Sequence, residues 1–112
     1  MAQVSLQEAR LSFKRTFVAY FLDLHSAGIA DPTEAFTTCR GYLSALREQL
    51  GADEFMRRLD DETTNLAGQV EQDLRHRRKG HEAVPADLDY EDIEDRLREC
   101  FEHALRWLEA PR

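Results

Sequence analysis

Glu99 and His103 stand four residues apart, a spacing that places two potential ligands on one face of a helix. A metal site inside a helical bundle draws Glu-x-x-His motifs from two helices, and no such motif occurs in this chain. Glu99 also falls off the apolar positions of its segment, so the two residues read as a surface pair. His25, near the end of the first helical segment, reads as a cation at a helix C-terminus. Cys39 and Cys100 form no Cys-x-x-Cys or zinc-ligand pattern. Both fall on apolar stripes, where free cysteine acts as a small hydrophobe. A disulfide between them requires Cβ atoms about 4 Å apart. No basic residue directly adjoins Cys100 in sequence, and Arg40, next to Cys39, points elsewhere on a helix. Neither thiol has a reason to ionise. The chain has no nucleophile elbow, no P-loop and no dinucleotide fingerprint. It is not expected to be an enzyme, to hold a metal or to need a cofactor.

Two charge clusters remain. Asp87, Asp89, Glu91, Asp92, Glu94 and Asp95 put six carboxylates into a short stretch. Its spacing begins like a calcium loop but lacks the required glycine and the later glutamate. Acidic residues in a first helical turn are favourable, so the cluster reads as a solvated face or as a docking surface for a basic partner. Arg75, His76, Arg77, Arg78, Lys79 and His81 form the one dense basic patch. Cations at a helix C-terminus offset its macrodipole. The alternative is contact with a phosphate backbone or an acidic partner. No aromatic residue interleaves with these arginines, which argues against base stacking.

The elements that carry these groups are helices. Ser5 with Glu8 spells a capping box and opens helix 1, which runs to about residue 26, before Gly28. Asp31-Pro32-Thr33-Glu34 opens helix 2 over residues 32–50, ending at Gly51. Helix 3 spans about 54–79 and helix 4 about 90–109, capped by Asp89 and closed before Pro111. Their apolar stripes follow helical spacing. Leu6, Ala9, Phe13, Phe17, Tyr20, Phe21 and Leu24 line helix 1. Phe36, Cys39, Leu43, Leu46 and Leu50 line helix 2. Phe55, Met56, Leu59, Leu66, Val70 and Leu74 line helix 3, with Thr63 filling the position where an apolar residue would continue the stripe. Ile93, Leu97, Cys100, Phe101, Ala104 and Leu108 line helix 4. The expected architecture is all-α, an antiparallel bundle of about four helices in a single domain over residues 1–112. Helix 3, at about 40 Å, outreaches the others.

Helix 1 carries a second apolar stripe, Val4, Leu11, Val18 and Leu22. A helix with two apolar faces touches more than one neighbour. The second neighbour is either another part of this chain or another molecule, and the stripe is the expected partner or dimer interface.

At 112 residues the chain can bury one core without disulfides or metal. With 42% hydrophobic and 33% charged residues, it has the balance of helices with solvated outer faces. The net charge of −7 disfavours nonspecific association with nucleic acid or anionic membranes. No apolar run is long enough to span a bilayer, and the N-terminus lacks signal-peptide order, so a cytoplasmic location is expected. The leading reading is a non-enzymatic protein-binding module: a small acidic bundle that inhibits, sequesters or scaffolds another protein, in the manner of immunity proteins, inhibitors or chaperones, acting as a dimer or on a partner. The alternative is a nucleic-acid-associated regulator using the basic end of helix 3.

Overall fold

A computed structural model describes residues 5–79 and 89–109. The described chain folds into α1 (Leu6–Ala27), α2 (Thr33–Leu50), α3 (Ala52–Lys79) and α4 (Tyr90–Glu109). The four helices pack against each other, and no strand occurs among the described residues.

Local chemistry sets the ends. The Ser5 hydroxyl accepts from the Glu8 amide at 3.1 Å, half of the expected capping box. Helix α1 stops at Gly28, whose φ of 77° is left-handed backbone that a Cβ would strain. The Asp31 carboxylate takes the Thr33 amide at 3.0 Å and its hydroxyl at 2.6 Å, which holds the carboxyl below its ordinary range. Gly51 at φ 83° is the only residue between α2 and α3. Asp89 caps α4 by accepting from the Glu91 amide at 3.1 Å. The 28 residues of α3 account for a length of about 42 Å, matching the long dimension of the molecule, 42 Å.

Side-chain ties fix the relative directions. Arg10 reaches Gln69 and, one turn on, Lys14 reaches Asp73, so α1 and α3 run parallel. Tyr90 donates to the Thr64 carbonyl while Arg98 reaches back to Asp60, so α3 and α4 are antiparallel. Phe36 stacks on His103, and one turn further Arg40 covers Trp107, so α2 and α4 run parallel. Consecutive helices therefore alternate in direction, as expected. The dense packing runs from α1 to α2, from α2 to α4 and from α4 to α3, while α1 meets α3 and α4 only lightly.

The core is aromatic at its centre. Phe13 from α1, Tyr42 from α2 and Phe101 from α4 form a triangle with ring centroids 6.1–6.4 Å apart. Phe17 and Phe21 continue it along α1. Leu66, Ala67, Val70 and Leu74 close it from α3. Thr63 does not break the α3 stripe. It is buried, and its hydroxyl donates to the Leu59 carbonyl within the helix. Met56, expected on that stripe, is instead 55% exposed.

Candidate protein-interaction surface

The second stripe of α1 is divided by the fold. Val18 is 2% exposed and belongs to the core, and Leu22 is half-buried against it. Leu11 is 42% exposed, and Val4 lies outside the described residues. Val18 and Leu22 are thus spent within the molecule. Among the described members of the stripe, only Leu11 is left open to solvent.

The charge clusters separate by partner. Arg75 and His76 are exposed at the end of α3, and Arg75 lies 3.6 Å from Glu71 on its own helix. Arg77 is exposed there too, whereas the Arg78 and Lys79 side chains, with His81, lie outside the described residues, as does Asp87. Of the acidic cluster, Asp89 serves as cap and Glu94 pairs with Arg98 at 3.3 Å. Glu91, Asp92 and Asp95 have no ion-pair partner among the described residues. Asp92 and Asp95 border a cleft of about 420 Å³ whose other walls include Phe21, Leu24, His25 and Glu99.

Glu99 and His103 face different partners. Glu99 accepts from Arg96 at 3.0 Å, while the His103 ring stacks on Phe36 with centroids 4.1 Å apart and planes 9° apart. Among the described residues no group of three or more His, Cys, Asp or Glu side chains could hold a metal ion. Cys39 and Cys100 are free and buried. Burial pushes the Cys39 thiol well above its ordinary value, with the nearby Cys100 adding to the effect. Burial, then Glu99, push the Cys100 thiol up to about 12. Both stay protonated at neutral pH and behave as apolar side chains.

One polar network spans three helices. The buried Tyr42 of α2 donates its hydroxyl to Glu62 of α3. Arg10 of α1 lies 3.5 Å from the same carboxylate and donates to Gln69 at 2.8 Å. Burial first, then the hydrogen bond to Glu62, raise the Tyr42 pKa well above its usual value. With Lys14–Asp73 at 3.1 Å, these contacts bridge α1 to α3 where apolar packing is thin.

The seam between α2 and α4 differs from the rest of the surface. Phe36 and His103 form one rung, and Arg40 over Trp107, 4.9 Å from guanidinium carbon to ring centroid, forms the next. Arg40 is steadied by donating to the Thr37 hydroxyl at 3.0 Å. Trp107 is 39% exposed. Past it, where α2 ends and α3 begins, a cleft of about 100 Å³ opens between Arg47, Phe55, Met56, Leu105, Leu108 and Glu109. Arg40 and Arg47 have no carboxylate partner among the described residues.

This seam leaves little trace in the sequence. Its only signal was the fourfold spacing Phe36–Arg40 and His103–Trp107, and two such pairs gain meaning only when α2 and α4 are known to run parallel. Tyr42 and Arg10 were equally silent, since nothing in the chain says that Glu62 sits between them. The chain matches no protein-family model, and no curated protein or solved structure shows detectable similarity to it.

Proposed function

We propose that this chain is a non-enzymatic protein-binding module, a small acidic helical bundle that inhibits, sequesters or scaffolds a partner protein in the cytoplasm. The observation that carries this reading is the apolar end of the α2–α4 seam. Met56 is 55% exposed beside the cleft formed by Phe55, Leu105 and Leu108, and Trp107 is exposed on the same stretch of α4. Single exposed apolar residues are ordinary, but a contiguous group at a cleft marks an interaction site. Methionine and tryptophan suit such a site, the first by adapting its shape and the second by offering a large rigid face. No described helix is long and apolar enough to cross a membrane, and both cysteines are free.

The test is affinity capture from the source cell with the wild type and with a Met56→Glu/Trp107→Ser variant. Met56 is exposed, whereas Trp107 is partly covered by Arg40, so a circular dichroism melt first establishes that the variant folds. The expected result is a specific partner on the wild type that the variant fails to retain. Equal recovery by the two, or no protein above a mock control, overturns the proposal.

A further inference from the structure

The same seam carries a charge pattern that narrows the partner's chemistry. The molecule as a whole is strongly acidic, with a net charge of −7. Yet on the α2 side of its seam with α4 the charged residues, Arg40 and Arg47, are both cations without a carboxylate partner among the described residues, and the His103 ring stacks on Phe36 between the two helices. Glu99, one helical turn before His103, is held by Arg96 at 3.0 Å. Arg47 stands in the wall of the apolar cleft, so a cation lies directly beside the place where an apolar side chain would enter. Glu109 is the opposing charge on that wall, and α4 exposes one further charge of each sign, Glu102 and Arg106.

Each part of the pattern has a physical complement. The cleft of about 100 Å³ between Phe55, Met56, Leu105 and Leu108 admits a branched aliphatic group and offers it no polar neighbour but Arg47 and Glu109. The Trp107 ring, already faced by Arg40, supplies a flat apolar platform one step along the seam. Carboxylates placed beside the aliphatic group meet Arg47 and Arg40, whose guanidinium forks match carboxylate geometry. Long-range repulsion from the acidic body is screened beyond about 8 Å at physiological salt, so the local charges of the seam decide the encounter there.

We infer that the α2–α4 seam binds an acidic partner segment that inserts one aliphatic side chain beside Met56 and sets its flanking carboxylates on Arg40 and Arg47. This rests on the protein-binding reading above and names the chemistry of the partner.

The test uses three labelled peptides of equal length, each with a central leucine flanked by glutamates, by serines or by lysines. Binding is read by peptide anisotropy and by the emission of Trp107, the single tryptophan of the chain. The glutamate peptide should bind, shift the emission, and weaken about tenfold between about 20 mM and about 150 mM salt. Arg47→Glu should weaken it at least about fivefold with an unchanged circular dichroism spectrum, and Met56→Glu should abolish it. Binding of the serine peptide as tight as that of the glutamate peptide, with loss only in Met56→Glu, overturns the acidic partner and leaves the module reading standing. Preference for the lysine peptide, or no response to any peptide at low salt, overturns the inference. Tighter binding of an oligothymidine probe moves the seam to nucleic acid. A dimer by light scattering that Met56→Glu dissociates gives the seam to a second copy of the chain. Either of these last results also overturns the inference.

Discussion

Replacing Tyr42 with Phe isolates one hydrogen bond at the centre of the bundle. Tyr42 is buried and its hydroxyl donates to Glu62, a carboxylate that keeps some contact with water and with Arg10. Removing the oxygen leaves no buried polar orphan on the tyrosine side, and Glu62 can turn to Arg10 and solvent. A hydrogen bond to a charged group contributes about 1.5–3 kcal/mol; partial re-solvation of Glu62 lowers the expected loss to about 1–2 kcal/mol. For a chain of this size that is roughly 4–9 °C in Tm. The pH dependence sharpens the test. The folded pKa of Tyr42 lies above the unfolded value, so its contribution is fully present below about pH 10 and is lost as pH rises past it, because the unfolded chain releases the phenolic proton first. One pH unit above that value the loss is about 1.4 kcal/mol. Urea unfolding at pH 7 and near pH 11 should therefore show the two proteins differing by about 1–2 kcal/mol at neutrality and converging in alkali. Subtracting the variant removes the shared alkaline effects of the buried thiols and of Tyr20. An equal gap at both pH values would refute the role assigned to the Tyr42–Glu62 contact.

Ser at Cys39 or Cys100 should destabilise by about 1–3 kcal/mol, since a hydroxyl enters an apolar setting; native protein should react with a thiol reagent far more slowly than unfolded protein, and fast modification would contradict the burial. Leu11→Glu should leave fold and stability nearly intact, whereas Val18→Glu should unfold the chain or cost about 3 kcal/mol or more; circular dichroism melts decide, and equal tolerance would show that Val18 is not part of the core. Changing Arg75 and Arg77 to Gln should shift stability by less than about 0.5 kcal/mol, and the wild type should give no gel shift with duplex DNA at physiological salt; a shift that the variant loses would restore the nucleic-acid alternative.

The helices were legible because their signals are local. The Ser5–Glu8 and Asp31–Glu34 segments carry their caps within one turn, and Gly28 and Gly51 stop α1 and α2 through backbone that tolerates positive φ. Periodicity placed Phe13, Leu43, Val70 and Leu97 in the core. It failed at Met56, where wheel position and burial part company. Met56 sits near the start of α3, beyond the neighbours that would cover it, and Thr63 satisfies its hydroxyl on its own helix and so passes as an apolar residue. The second stripe on α1 is apolar by its spacing, but whether Val18 packs within the molecule or against another depends on helix directions that no single segment encodes. The seam and the Tyr42 network were illegible for the same reason, since each joins residues from helices far apart in the chain.

The parallel pairing of α2 with α4 also bears on how fast the chain can reach its folded form. The α1–α2 hairpin closes over the short connector at 28–32, and it can form early and locally. Phe36 and His103 cannot meet until the whole of α3 and the return to α4 lie between them. Each doubling of such a loop costs only about 0.6 kcal/mol in closure entropy, but that cost falls before the contact rewards it. Docking of α4 is therefore the step expected to limit folding. Core substitutions at Cys100 or Phe101 should slow it, while those in the early hairpin that leave this step alone should act on unfolding instead.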